Sequence, residues 1–410
     1  MNSIKEVAIV GGCGHVGLPL GITLADTGEF QVTLIDVDPG KVEMVNSGHM
    51  PYQEAGAEER LKQVVGSRLR ATLETSALER ADAAVSVIGT PLDEHLNPMV
   101  NRLLAAIEDS IARMHAGALL VLRSTVYPGV TKLVYDRIQA QGRSILVAFC
   151  PERIAEGRAM EELAKLPQII SAFESEAMAR ARELFAPVTP ELIELEPLEA
   201  ELAKLFTNSW RYLNFAISNQ FYMIAESYGA DFARVHEAVT RNYPRMQAFA
   251  RAGFAAGPCL LKDTLQLSAF ASNHFFMGHA AMLVNEGLPE FIAKQVAERR
   301  LPGRRVAILG MAFKGDSDDP RDSLAYKLRK QLEIRAFEVL CTDPYISDPR
   351  FVPLEEALDR ADAITVGAPH SLYKNLRIPP EKVVVDVWRV LPERAGERGK
   401  QTGGTAGRPG

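Results

Sequence analysis

The chain of 410 residues is 47% hydrophobic and 24% charged, the balance of a globular protein with room for two or three domains of roughly 100–200 residues. A formal net charge of −6 without a basic stripe argues against general nucleic-acid binding, and no apolar run nears the ~18–20 residues that a membrane helix needs. Cys13, Cys150, Cys259 and Cys341 lack the paired spacing of a zinc site, so neither a structural metal nor a disulfide is expected.

"MNSIKEVAIVGGCGHVG" passes straight into a strand and a glycine turn, with no basic region, apolar core and cleavage site in succession, which predicts a cytoplasmic protein. From Val7 onward short β-rich runs ("VAIVGG", "QVTLIDVD", "AAVSVIGT", "ALLVLRST", "ILVAFCPE") alternate with helical patterns, the signature of βαβ units and a parallel sheet. This first domain covers residues 1–196. The next run, "LEAELAKLFTNSWRYLNFAISNQFYMIAESYGAD", has apolar residues at three- and four-residue intervals and no glycine until Gly229, which predicts one long helix opening a helical domain over 197–298. "LPGRRVAILGMAFKGD", "FEVLCTDPY", "ADAITVGAP" and "KVVVDVW" then restart the strand-and-turn grammar, giving a second α/β domain over 299–392. Residues 393–410, rich in glycine and charge, are expected to be a disordered tail.

In "VAIVGGCGHVGLPL" a strand runs into Gly12-x-Gly14-x-x-Gly17, with His15 and Val16 between the last two glycines, and then into a helix. Glycines at these positions allow a tight turn, close approach of a pyrophosphate and close helix–strand packing. Asp36 ends the next strand about twenty residues on, where a carboxylate can accept hydrogen bonds from an adenosine ribose and repel a 2′-phosphate, favouring NAD over NADP. Asp38 is the alternative ribose contact, and Cys13 is a small filler of the loop.

Glu152 and Glu156 in "CPERIAEGRAMEEL" are four apart, so on a helix both carboxylates would share one face. They follow an apolar strand, where ligands of open parallel sheets bind. Lys204 and Asn208 have the same spacing on the long helix, setting an ammonium beside an amide. In "AGFAAGPCLLKDTLQL" Cys259 stands at a predicted helix start, where the local field lowers a thiol pKa, and Asp263 lies one turn on. The bland readings are an inert buried thiol and solvated charges. Taken together, the residues offer a nucleophile, general bases and groups for an oxyanion.

In this order the motifs resemble the UDP-glucose/GDP-mannose dehydrogenase family, including its UDP-N-acetylhexosamine branch. "GGCGHVGLPL", "IDVDPGKV", "IGTPLDE", "RSTVYPGVT", "CPERIAEGRA", "AKLFTNSWRYLNFAISN", "AGPCLLKD", "GMAFKGDSDDPRDS" and "CTDPY" carry the resemblance over about residues 5–390. It implies two Rossmann-like parallel-sheet domains joined by a long central helix and a helical dimerisation region, and hence a homodimer or higher homo-oligomer. It implies that Thr90 and Thr125 lie beside NAD, with Thr125 also in the catalytic set, and that Lys41 is near the adenosine end. Glu152 and Glu156 would flank a hydrolytic water, Lys204 and Asn208 would hold the reacting oxygen, and Cys259 would be the nucleophile assisted by Asp263. Lys314 and Arg321 match positions that hold the nucleotide diphosphate and nearby substrate groups, and Arg245, or alternatively Arg241, one that reaches across a dimer. The chain departs from the family in "GFAAGPC", in "LLKD" and in "DVWRV", the first two bearing on sugar specificity.

The implied activity is NAD-dependent oxidation of a UDP-sugar C6 hydroxyl to the uronic acid through cysteine-bound intermediates. Two competing readings are a single-step hydroxyacid dehydrogenase using Lys204 and Asn208, with a merely structural Cys259, and a non-catalytic nucleotide-sugar binding module.

Overall fold

A computed structural model describes residues 3–90, 93 and 99–392; the expected disordered tail and most of "PLDEHLNP" lie outside the described residues. The elements run β1 (Glu6–Val10), α1 (Gly17–Asp26), β2 (Gln31–Ile35), α2 (Pro39–Asn46), α3 (Ala57–Val64), β3 (Leu69–Thr72), β4 (Ala83–Ser86), α4 (Val100–Arg113), β5 (Leu119–Leu122) and α5 (Val130–Ala140). There follow β6 (Leu146–Phe149), α6 (Ala159–Leu163), β7 (Gln168–Ala172), α7 (Ser175–Phe185), β8 (Leu192–Leu195) and α8 (Pro197–Ser227). The remainder comprises α9 (Phe232–Thr240), α10 (Leu260–Phe270), α11 (Phe276–Ala297), β9 (Arg305–Leu309), α12 (Leu324–Ile334), β10 (Glu338–Thr342), α13 (Leu354–Arg360), β11 (Ala363–Val366) and β12 (Val383–Val385). Among the described residues no helix is long and apolar enough to cross a membrane.

The chain divides into two compact units, the first residues 1–208 with 265–273, the second residues 209–264 with 274–410. In the first, eight strands pair in the order β3-β2-β1-β4-β5-β6-β7-β8. All neighbours are parallel except β6 and β7, which meet antiparallel at Ala148–Ala172 and Phe149–Ser171. Strands such as "LLVL" and "LVAF" are buried along their whole length, as a sheet covered by helices on both faces requires. The strand order reverses between β1 and β4, the crevice where open α/β sheets bind ligands. The second unit repeats the plan with four parallel strands in the order β10-β9-β11-β12. Its apolar core joins α11 and α12 to β9, through Leu288, Ile292, Val306, Ile308, Leu328 and Leu332.

α8 is a 31-residue helix, about 46 Å long at 1.5 Å per residue. It starts on Pro197, which tolerates the first helical turn, and ends at Ser227, two residues before Gly229, whose φ of 72° in the left-handed region lets the chain fold back so that the Ala230 N–H donates to Ala225 O at 2.9 Å.

Candidate active site

The glycine turn closes at the carboxyl end of β1. A Cβ on Gly12 would lie 2.7 Å from Ile9 O and from Leu34 Cβ, and one on Gly17 2.8 Å from Gly12 Cα, so the protein's own packing demands these two glycines. Gly14 differs, since the nearest atom to a Cβ there would be Gly11 O at 3.6 Å. The folded chain leaves room at Gly14, and the missing side chain keeps that room for a ligand, which fits a dinucleotide pyrophosphate seated at the start of α1.

Asp36 locks the turn from the next strand. Its Oδ2 accepts the Cys13 N–H at 2.9 Å and its Oδ1 the Asp38 N–H at 3.2 Å, leaving further lone pairs of the carboxylate for a ribose. Asp38 is the N-cap of α2, accepting from Gly40 N and Lys41 N at 3.0 and 3.2 Å, which commits it to the helix start. Lys41 is half-buried in the first turn of that helix. Burial, reinforced by repulsion from Asp36, pushes the Cys13 thiol up to about 12.

The carboxyl ends of β4, β5 and β6 bring the other first-unit residues to this edge. The Thr90 hydroxyl donates to Thr125 O at 2.6 Å, tying together the two threonines expected beside the cofactor. After β5, the turn carrying Thr125 is fastened to α8. The N–H groups of Gly129 and Thr131 and the Thr131 hydroxyl donate into the Glu201 carboxylate at 2.6, 2.8 and 2.6 Å. Burial raises the Glu201 pKa against these bonds. Lys204 and Asn208 are buried on the following turns of α8, the helix that Glu201 fastens to the turn carrying Thr125.

Residues 152–157 are not helical, contrary to the four-residue spacing of Glu152 and Glu156. The reason is local. Glu152 Oε1 accepts its own chain's N–H groups from Arg153 and Ile154 at 2.5 and 2.7 Å, the Asx-like bonding that competes with a helix, and Gly157 takes φ 79°. The other Glu152 oxygen pairs with Arg123, whose side chain is fully buried. The same guanidinium donates to Cys150 O at 3.2 Å and Gln168 Oε1 at 3.0 Å, and it lies 5.1 Å from the Phe185 ring centre. Glu156 instead faces the glycine turn, 3.4 Å from His15 Nδ1. His15 packs on Tyr52 with ring centres 3.8 Å apart, and the Tyr52 hydroxyl donates to Gly14 O at 2.9 Å. Glu54 accepts from Gly157 N and Ala159 N, both at 2.8 Å, and so joins the Glu156 loop to the segment beneath His15. Sequence spacing gives no hint of Arg123 or Glu54. A lone arginine ending the apolar run "ALLVLR" was the available signal, because a buried cation needs a buried partner.

The second unit holds the thiol. Cys259 immediately precedes α10 and is exposed, whereas Cys13, Cys150 and Cys341 are buried. Its carbonyl accepts the Asp263 N–H at 2.9 Å, as a residue at a helix start does. Asp263 is fully buried and its carboxylate lies 3.1 Å from Lys262 Nζ. The approach to Cys259 is held by α8 and α11. Asn219 accepts from and donates to Gly253 at 2.9 and 3.0 Å. It also bonds Asn285 at 2.9 Å, and Asn285 donates to Tyr212 O at 3.1 Å. Nearer the thiol, the Gly257 N–H donates to Asp322 O at 3.3 Å, and the Phe313 ring fills the space that a Cβ at 257 would need. The "GFAAGPC" segment therefore rests on the 310–322 loop, which carries Lys314 and Arg321. Arg321 chelates Asp319 through Nε at 2.9 and 2.8 Å. Trp388 of the "DVWRV" segment covers Gly253 and meets Phe254 edge-on at 6.2 Å. Arg245 is exposed and bonds the Tyr243 hydroxyl at 3.0 Å; Arg241, also exposed, pairs with Glu237. Of the expected catalytic set, Thr125, Glu152, Glu156, Lys204 and Asn208 belong to the first unit, Cys259 and Asp263 to the second.

Comparison with known proteins matches three successive regions of the chain to one family. Residues 5–189 match the NAD binding domain of the UDP-glucose/GDP-mannose dehydrogenase family, residues 198–286 its central domain and residues 307–393 its UDP binding domain. The chain is 28% identical over 409 residues to a UDP-N-acetyl-D-mannosamine dehydrogenase of Pyrococcus horikoshii, covering 95% of this chain and 96% of that one. It is also 28% identical over 424 residues to a UDP-glucose 6-dehydrogenase of Haloferax volcanii, covering 95% and 98%. The solved structure of the UDP-D-ManNAc dehydrogenase from Pyrococcus horikoshii superposes with a TM-score of 0.87 at 27% identity, over 96% of this chain and 97% of that one. The chain is a member of the UDP-glucose/GDP-mannose dehydrogenase family, with that family's NAD-binding domain at its N-terminal end.

Proposed function

We propose that the protein oxidises the C6 hydroxyl of a UDP-sugar to the carboxylate, with Cys259 as the covalent nucleophile. The observation that carries this reading is the contrast among the thiols: burial pushes Cys13 and Cys150 up to about 12 and Cys341 to about 11, while Cys259 alone of the four is exposed, at a helix start.

The conversion removes four electrons. NAD supplies the acceptor for each of two hydrides. After the first oxidation, the Cys259 sulfur adds to the aldehyde carbon to give a thiohemiacetal; the second leaves a thioester, and water cleaves its C–S bond to release the acid and the thiolate. The covalent link retains the aldehyde between the two oxidations. Lys204 and Asn208 stabilise the oxyanion of the tetrahedral species, where one lost donor costs about 3–4 kcal/mol of barrier. Asp263 assists proton movement near the thiol. Of the two glutamates, we assign water activation to Glu156, since Glu152 is committed to Arg123 and to its own backbone. Lys314 and Arg321 bind the diphosphate, with Arg245, or alternatively Arg241, contributed by a second subunit.

The assembly is a homo-oligomer built on α8. Trp210, Phe221 and Ile224 are 58%, 48% and 50% exposed, and with Phe206, Ile217 and Tyr228 they recur at three-, four- and seven-residue spacing along one stripe of the helix. Such a stripe on a long helix calls for a partner, and a second copy of the same chain is the one proposed.

Incubation with a panel including UDP-N-acetyl-D-mannosamine and UDP-glucose is the direct test. Two NADH per sugar without free aldehyde is the expected result. One NADH per sugar would support the single-step reading, and ligand binding without turnover would support a binding module.

A further inference from the structure

The second unit contains a buried histidine that the chemistry above does not use. His370 follows β11 and is fully buried. Its Nε2 lies 3.1 Å from Oδ2 of Asp343, the residue after β10. Its Nδ1 accepts the backbone N–H of Asp316 at 2.9 Å. A backbone N–H can only donate, so Nδ1 bears the lone pair and the ring proton resides on Nε2, directed at the Asp343 carboxylate.

Both partners of His370 are themselves fixed. Asp343 accepts from Met311 N and Ala312 N at 2.6 and 3.1 Å, and from Tyr345 N and Ile346 N at 2.8 and 3.0 Å. Burial works to raise its pKa, but the bonds from His370 and these amides hold the carboxyl below its ordinary range. Asp316 sits at φ 54°, and its carboxylate accepts Ser371 N and Ser371 Oγ at 2.7 and 2.5 Å. Gly315 lies against Pro369 so closely that no Cβ would fit. The loop after β9 is thus pinned to the end of β11 at residues 315 and 316, beside Lys314.

We propose that His370 is a positioning residue for the nucleotide-diphosphate site: as its Nε2–H tautomer, bridging Asp343 and the Asp316 N–H, it fixes the loop that presents Lys314 and Arg321. The inference rests on the reading of Lys314 and Arg321 as phosphate-binding residues given above.

The test uses the full-length protein and UDP as the probe, with affinity measured by calorimetry. His370→Gln places an amide near the Nε2 position and surrenders the acceptor at Nδ1, so it keeps the Asp343 contact and gives up the loop. The expected result is UDP affinity lowered about 5- to 10-fold, as for loss of one net hydrogen bond. The UDP-sugar KM should rise in parallel, with kcat and the KM for NAD within twofold of wild type. Nitrogen-15 NMR of the wild-type ring should give the Nε2–H tautomer. Should His370→Gln not fold, Ser371→Ala, which removes only an exposed hydroxyl from Asp316, is expected to lower UDP affinity about 2- to 3-fold. UDP affinity unchanged in these variants while Lys314→Ala weakens it overturns the role of His370 and leaves the phosphate site standing. UDP affinity unchanged in Lys314→Ala overturns the phosphate site, and the role of His370 with it. An Nδ1–H tautomer also overturns the proposal.

Discussion

Arg123 and Glu152 form an ion pair in the first unit with the arginine side chain wholly shielded from solvent. The pair holds the Cys150–Pro151–Glu152 turn to the end of β5, because the same guanidinium also bonds Cys150 O and Gln168. Removing one partner of such a pair strands a charge. Glu152→Leu or Arg123→Met should therefore each destabilise the protein by about 3–5 kcal/mol, and the double variant by less than the sum. Urea unfolding of the three variants measures this; strictly additive losses would show that the two groups do not act as a pair.

Glu156 should behave differently from Glu152. With Glu156→Gln, thioester formation proceeds and hydrolysis stalls, so rapid mixing should give a burst of about two NADH per active site. Steady-state turnover should then fall about 10²- to 10⁴-fold, the usual worth of a general base. Mass spectrometry of the quenched protein should find the sugar acyl group on Cys259. A variant that turns over at the wild-type rate would remove Glu156 from the water-activating role.

Thiol labelling offers a test independent of any sugar. At pH 8 the buried thiols, raised to about 12, 12 and 11 by burial, remain protonated and shielded, whereas Cys259 is exposed. Iodoacetamide should modify Cys259 at least ~100-fold faster than the others, read by peptide mapping. Equal labelling of two or more cysteines in the folded protein would contradict the burial pattern.

Asp343 sets an acid limit on the second unit. Its folded pKa is lowered, so its stabilising contribution is complete above the unfolded value of about 3.9 and disappears as pH falls through the folded value. Asp343→Asn should lose about 1–3 kcal/mol at pH 7 and show a shallower decline in stability below pH 4. Urea midpoints between pH 2 and 6 check both, and parallel acid limbs for wild type and variant would refute the linkage.

Local chemistry made much of the fold legible. Glycines at 12 and 17 that no side chain could replace, an unbroken helical pattern ending at Gly229, and short apolar runs between helices each have a direct structural counterpart. The antiparallel β7 was not legible, because "QIISA" has the same buried apolar character as its parallel neighbours and direction is a property of the connection. The Glu152–Glu156 spacing misled for a related reason: periodicity describes a helix only where the backbone N–H groups are free to make one, and Glu152 takes two of them itself. His15, found as part of the glycine turn, could not be linked to Glu156, nor Glu201 to Thr131, 70 residues away, since such contacts depend on how strands are ordered.

The indole of Trp388 has an implication for how the molecule can be altered. The Asp386 side chain accepts the backbone N–H of Trp388 at 3.0 Å, which fixes the backbone at 388, and the ring occupies the volume over Gly253. The segment after the final strand and the chain leading to Cys259 are consequently a single mechanical part, although more than 100 residues of sequence separate them. A chimera that imports a foreign C-terminal module must import residues 252–258 along with it, or the seam at position 253 will open and carry the sulfur out of register.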